Sequence, residues 1–168
     1  MKIIISSVVI VLSATTAHAA CPLTSISEAL AAPLDHMKPL VRAVTSMQSA
    51  EGGEWEIFRE KDGRVHTIMR KDYGEGGRSE QRLTVVNRET YGIAKTSIGY
   101  IRHVIGDGPF AVAGQTTQYY YFCGGKVFMP DENWGTVDRE AYPKAAAEAK
   151  STMLEDKDVA DFTMGLVK

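Results

Sequence analysis

The chain has 168 residues with 19 basic and 21 acidic side chains, a formal net charge of −2. So even a balance excludes a general electrostatic pull toward nucleic acid or anionic lipid. The length suits one domain, and the sequence holds no run of five like charges and no low-complexity tract.

Residues 1–19 read as a cleavable secretory signal. Lys2 gives a positive start, Ile3–Ile5 and Val8–Leu12 form an apolar core broken by Ser6 and Ser7, and Ala17-His18-Ala19 supplies a small–x–small cleavage pattern. That core is about ten residues, half of what a membrane-spanning helix needs. The expected mature chain is 20–168, with 149 residues; only Lys2 leaves the charge count, so 18 basic side chains face 21 acidic ones, for a net −3. The expected location is periplasmic or secreted, with no membrane attachment after cleavage. An uncleaved anchor is one rival reading, which the short apolar core opposes; a lipoprotein signal is the second, because Cys21 sits just past the cleavage pattern, and against it His18 stands where such signals usually carry Leu.

Cys21 and Cys123 are the two cysteines. An even count in an exported chain predicts a disulfide, and two cysteines allow one intramolecular pairing. The absence of a C-x-x-C motif argues against a redox role.

Ser25 and Glu28 have capping-box spacing, so a helix is expected to start near Ile26. Leu34, Met37, Val41, Val44 and Met47 recur every three or four residues, which predicts an amphipathic helix over 34–47, interrupted near Pro33 and Pro39. From Gly53 the period becomes two. Trp55 and Ile57 mark a first strand, and Lys61-Asp62-Gly63 a turn. On the second strand Val65, Thr67 and Met69 alternate with His66 and Arg70, which are expected to face solvent. A turn over Tyr73–Gly77, a strand over Arg82–Val86 and a turn at Asn87-Arg88-Glu89 come next. Residues 90–105 hold one long or two shorter strands. Thr117, Tyr119, Tyr121 and Cys123 share a face of a later strand, with Tyr120 and Phe122 opposite. Gly124-Gly125 turns into Lys126–Met129. Helical signals resume beyond Pro143, with Ala145, Ala149, Met153 and Leu154. Turns at intervals near ten residues indicate consecutive antiparallel pairing, a sheet that commonly buries one face and wets the other. The expected fold class is α+β: an N-terminal helix, a five- or six-stranded antiparallel meander sheet, then C-terminal helices.

Glu51-Gly52-Gly53-Glu54, Asp62-Gly63-Arg64-Val65, Asp72-Tyr73-Gly74-Glu75 and Tyr119-Tyr120-Tyr121-Phe122 with Gly125-Lys126-Val127 together resemble the turns of a loose group of small exported bacterial proteins of uncharacterised function. The likeness spans about 51–129 and departs at Asn87-Arg88-Glu89, where the group has Asn/Asp-Gly-Lys. It implies a helix-plus-meander fold and no activity.

Reactive constellations are sparse. His36, His66 and His103 show no H-x-H, H-x-x-x-H or H-E-x-x-H spacing, so no metal site is expected and His66 and His103 read as surface residues. Ser79 lacks a G-x-S-x-G context, and Tyr73–Gly77 lacks the G-K-S/T of a phosphate loop. Asp131, Glu132 and Asp138 lack the alternating oxygen ligands and distal Glu of a calcium loop. No catalytic residue and no cofactor are assigned. The one unusual feature is the run Tyr119–Phe122: one pair should be core, leaving Tyr119 and Tyr121 as a candidate binding surface. The leading expectation is a non-enzymatic binding module of inhibitor or immunity type, with another envelope protein as partner and no nucleic acid. The alternative is an unrecognised envelope hydrolase or small-ligand carrier.

Overall fold

A computed structural model describes residues 21–46, 51–101, 111–129 and 141–167. The expected signal peptide, His103 and the acidic group Asp131, Glu132 and Asp138 lie outside them. The elements run α1 (Leu23–Ala31), β1 (Leu40–Ala43), β2 (Gly53–Arg59), β3 (Val65–Gly74), β4 (Gly77–Asn87), β5 (Thr90–Tyr100), β6 (Val112–Cys123), β7 (Lys126–Phe128), α2 (Ala141–Leu154) and α3 (Ala160–Thr163). The strands form one seven-stranded antiparallel sheet in sequence order, so the α+β meander is as expected.

The strand count exceeds the expected five or six because the helix predicted over 34–47 is absent. Leu40–Ala43 instead pairs with Glu54–Ile57 as an edge strand. Pro39 removes a backbone donor and bars a continuous helix, and β-branched Val41 and Val44 suit extended backbone. The periodic stripe is a coincidence that pairing with β2 overrides. α1 also begins earlier than expected, at Leu23 behind Pro22, with no side-chain cap bond from Ser25.

Helices cover both faces of the sheet at one end, where the alternation predicts a single wet face. On one side Trp55, Ile57, Ile68, Leu83, Tyr91, Ile93 and Tyr120 pack against Tyr142, Ala146, Ala149 and Met153 of α2 and against Val159 and Phe162. On the other, Ile26 and Leu30 of α1 pack on Tyr121, Ala94 and Tyr119. Gly92 permits that approach: a Cβ there would sit 2.6 Å from Leu30 Cδ1 and 2.7 Å from Ile26 Cγ2, closer than van der Waals contact allows.

The Cys21–Cys123 disulfide is present, with Cα atoms 5.9 Å apart and 102 residues between them in sequence. It ties the entry to α1 to the end of β6. A sulfur so engaged cannot carry a thioether-linked lipid, and the bond points to an oxidising compartment. No helix among the described residues is long and apolar enough to cross a membrane.

Carboxylates of the α2–α3 region hold the edge strand. Arg42 makes a two-pronged bond to Asp161 at 2.8 and 2.9 Å. Asp158 accepts the Thr45 amide at 2.6 Å and the Thr45 hydroxyl, and Asp156 accepts the Ser46 hydroxyl at 2.6 Å. Burial pushes the Asp158 carboxyl up, but the Thr45 hydroxyl and the Thr45 and Ser46 amides outweigh this and leave it below the usual carboxylate value. A carboxylate whose folded value is depressed stabilises the protein above its unfolded value, and that stabilisation is lost as pH falls through the folded one. Asp158→Asn therefore lowers the Tm at pH 7, and the gap to wild type closes below about pH 4, as thermal unfolding across a pH series will record.

Candidate functional site: an open charged face

Among the described residues no three His, Cys, Asp or Glu side chains are placed to hold an ion. Tyr119 and Tyr121, expected as an exposed pair, are not exposed. Tyr121 is 4% exposed beneath α1 and Tyr119 is half-buried beside it. The reason is α1, which occupies the face that alternation alone leaves to solvent.

His66 sits at an irregular end of the sheet. Phe58 pairs with Thr67 and Arg59 with Val65, leaving His66 as an extra residue, a β-bulge. A second bulge lies beside it, where Val85 pairs with Tyr91 and Asn87 with Thr90, leaving Val86 as the extra residue. The bulges line a groove of about 570 Å³ with Arg88, Phe162, Met164 and Leu166. The first bulge also shifts the alternation of β3, so Ile68 and Arg70, at 0% and 1% exposure, point into the α2 side. Arg70, expected at the surface, is thus a core residue.

A row of hydrogen-bonding side chains leads from Arg82 to His66. Arg82 Nε donates to Thr84 Oγ1 at 3.2 Å, Thr84 Oγ1 lies 3.0 Å from Thr67 Oγ1, and Thr67 Oγ1 lies 2.8 Å from His66 Nδ1. With Arg82 donating to Thr84 Oγ1, the order that gives each hydroxyl proton an acceptor within this row runs from Thr84 to Thr67 to His66 Nδ1, and it leaves the ring proton of His66 on Nε2, 3.8 Å from Glu60. The ¹⁵N shifts of its ring should show a protonated Nε2 and a pyridine-like Nδ1; the opposite pattern would break the chain of donors.

The same Arg82 reaches the Ala29 and Ala32 carbonyls at the C-terminal end of α1, at 3.1 and 2.8 Å. Beyond this row no helix among the described residues packs on that face of the sheet. What lies there is a charged platform. Register places Glu54, Lys71, Glu80 and Thr96 in one cross-strand row, and Tyr73 and Arg78 in the next. Lys71 Nζ bonds Glu56 at 2.6 Å and lies 3.5 Å from Glu54, the Tyr73 hydroxyl donates to Glu54 at 2.6 Å, and Arg78 pairs with Glu80 at 2.8 Å. Burial pulls Lys71 down, but Glu56 and Glu54 more than offset it and hold the ammonium above its ordinary value. Burial, then the Glu54 carboxylate, pushes Tyr73 up to about 12. These side chains are partly buried, with Arg78 the most open, and each is fixed by its neighbours. The sequence shows only alternating charges; their union into one patch comes from register.

No family model, no curated protein and no solved structure matches this chain.

Proposed function

We propose that the protein is a non-enzymatic binding module of the periplasm or the secreted fraction, which engages another envelope protein in the manner of an inhibitor or immunity protein. The observation that carries this reading is the platform of Glu54, Glu56, Lys71, Tyr73, Arg78 and Glu80. Side chains already held in place lose little rotamer freedom when a partner docks, and alternating charge gives specificity and fast encounter rather than general stickiness. Both signs are present, which disfavours nucleic acid, whose phosphates call for a basic patch. The disulfide supports work in an oxidising compartment.

The test is retention from envelope extract on immobilised protein. A stoichiometric partner should bind at low salt and leave as salt approaches 1 M, where the screening length shrinks to about 3 Å. Arg78→Ala, which removes the most open charge of the platform and only one exposed ion pair, should retain at least tenfold less at nearly unchanged Tm. No stoichiometric partner at any salt, or equal retention by the variant, overturns the reading. The groove beside His66 favours a second reading, a small-ligand carrier; no spectral change at His66 on screening metabolite extracts removes it.

A further inference from the structure

The sheet has two edges, and they are protected unequally. β1 is four residues long and Arg42 on it is engaged by Asp161. β7 is three residues long and carries Lys126. It covers only Tyr121–Cys123 of β6, so the rest of that twelve-residue strand is an edge.

The direction of the backbone groups on this edge is set by the hairpin. Cys123 and Lys126 flank the two-residue turn and bond each other across it. Alternation then turns the N–H and C=O of Tyr121, Tyr119, Thr117 and Gln115 outward, away from β5. The Gly124 amide bonding Glu89 on the β5 side agrees with this phase. Tyr142 of α2 closes the fork where β7 departs: its hydroxyl lies against the Tyr119 carbonyl and 3.1 Å from that of Phe128. Past that plug the outward backbone groups of Gln115 and Thr117 meet no strand among the described residues, and Val112–Thr116 and Gln118 are exposed.

Natural edges of this kind usually carry a charge or a proline against chance pairing. Here no charged residue stands between Asp107 and Lys126, in a chain with 19 basic and 21 acidic side chains. That neutrality singles out one occupant. In a two-fold contact the strand meets itself, so any charge at the centre would face its own like.

We infer that the protein forms an isologous dimer by antiparallel addition of β6 to β6 of a second copy. The register that joins outward groups to outward groups puts Thr116 opposite Thr116 of the partner subunit, with Gln115 and Thr117 exchanging about four backbone hydrogen bonds across the axis. Pairing is limited to Gly114–Gln118. At one end Tyr142 already holds the Tyr119 carbonyl, and at the other the bulge at Ala113, left over where Gly99 meets Gly114 and Tyr100 meets Val112, bends the strand away. The two-fold axis stands perpendicular to the sheet, so both charged platforms lie on the same side of one continuous surface. This inference is independent of what the platform binds.

Sedimentation equilibrium of the oxidised protein tests it. So short a contact should give a dimer that dissociates on dilution, half-populated in the range of about 10–500 µM. Thr116→Lys and Thr116→Glu should each sediment as monomers at unchanged Tm, because Thr116 is exposed, and an equimolar mixture should recover the dimer. Wild type that stays monomeric up to about 1 mM, or a Thr116→Lys variant that dimerises as wild type does, overturns the inference. A mixture that fails to dimerise while each variant is folded overturns the register.

Discussion

Reduction of the Cys21–Cys123 bond should lower the unfolding free energy by about 4–5 kcal/mol, the chain-entropy value for a loop of this size. The span is 102 residues, so the loop encloses α1 and the sheet as far as the end of β6. The structural consequence is more local. The bond enters α1 two residues before its first turn, and α1 buries only Ile26 and Leu30 completely. A nine-residue helix is marginal by itself in water, so its place on Gly92 and Tyr121 depends on the tether. Urea unfolding with and without reductant gives the free-energy difference, and hydrogen exchange should show α1 losing protection before the strands. Intact mass should rise by about two hydrogens on reduction. An unfolding midpoint indifferent to reductant would remove the bond from the account.

Arg70→Ala should cost about 3–5 kcal/mol, because it strands buried carboxylates. Arg70 is 1% exposed, bonds Asp72 at 2.9–3.1 Å, lies 3.1 Å from Asp156 and rests over the Trp55 ring at 5.2 Å. This one guanidinium joins β3 to the turn after α2 and to the Ser46 carbonyl at 3.3 Å. Replacing the whole set, Arg70→Met with Asp72→Asn and Asp156→Asn, should recover most of the loss, since no charge is then left uncompensated. Urea unfolding at constant pH distinguishes the cases. A cost under about 1 kcal/mol for Arg70→Ala would mean that the cluster is solvated and holds little.

These two predictions differ in how far they are legible in the sequence. The disulfide comes from counting cysteines behind an expected export signal. The strands from β2 to β7 are visible because alternation and Gly-rich turns are local properties; even the short Gly124-Gly125 hairpin is written in two residues with positive φ. Alternation puts Arg70 on the wrong face because a single bulge at His66 reverses the phase of β3, and a bulge leaves no mark in an alternating pattern. β1 is hidden for a related reason. Leu34, Met37, Val41 and Val44 satisfy a helical period by chance, and only pairing with β2 decides between the two states. The aromatic pair Tyr119 and Tyr121 has the expected phase and a different environment, since no local signal says that α1 folds back onto Gly92. The charged platform is legible only from register, which brings Glu54, Lys71 and Glu80 into line from three separate strands.

The charged platform is the surface on which another protein is proposed to dock. A photo-reactive side chain placed at Arg78, and in a second strain at Lys144 on the exposed side of α2, tests it in living cells. The account predicts a discrete adduct with a different protein from the Arg78 position and none from Lys144. No adduct at Arg78, or the same adduct from both positions, would contradict it.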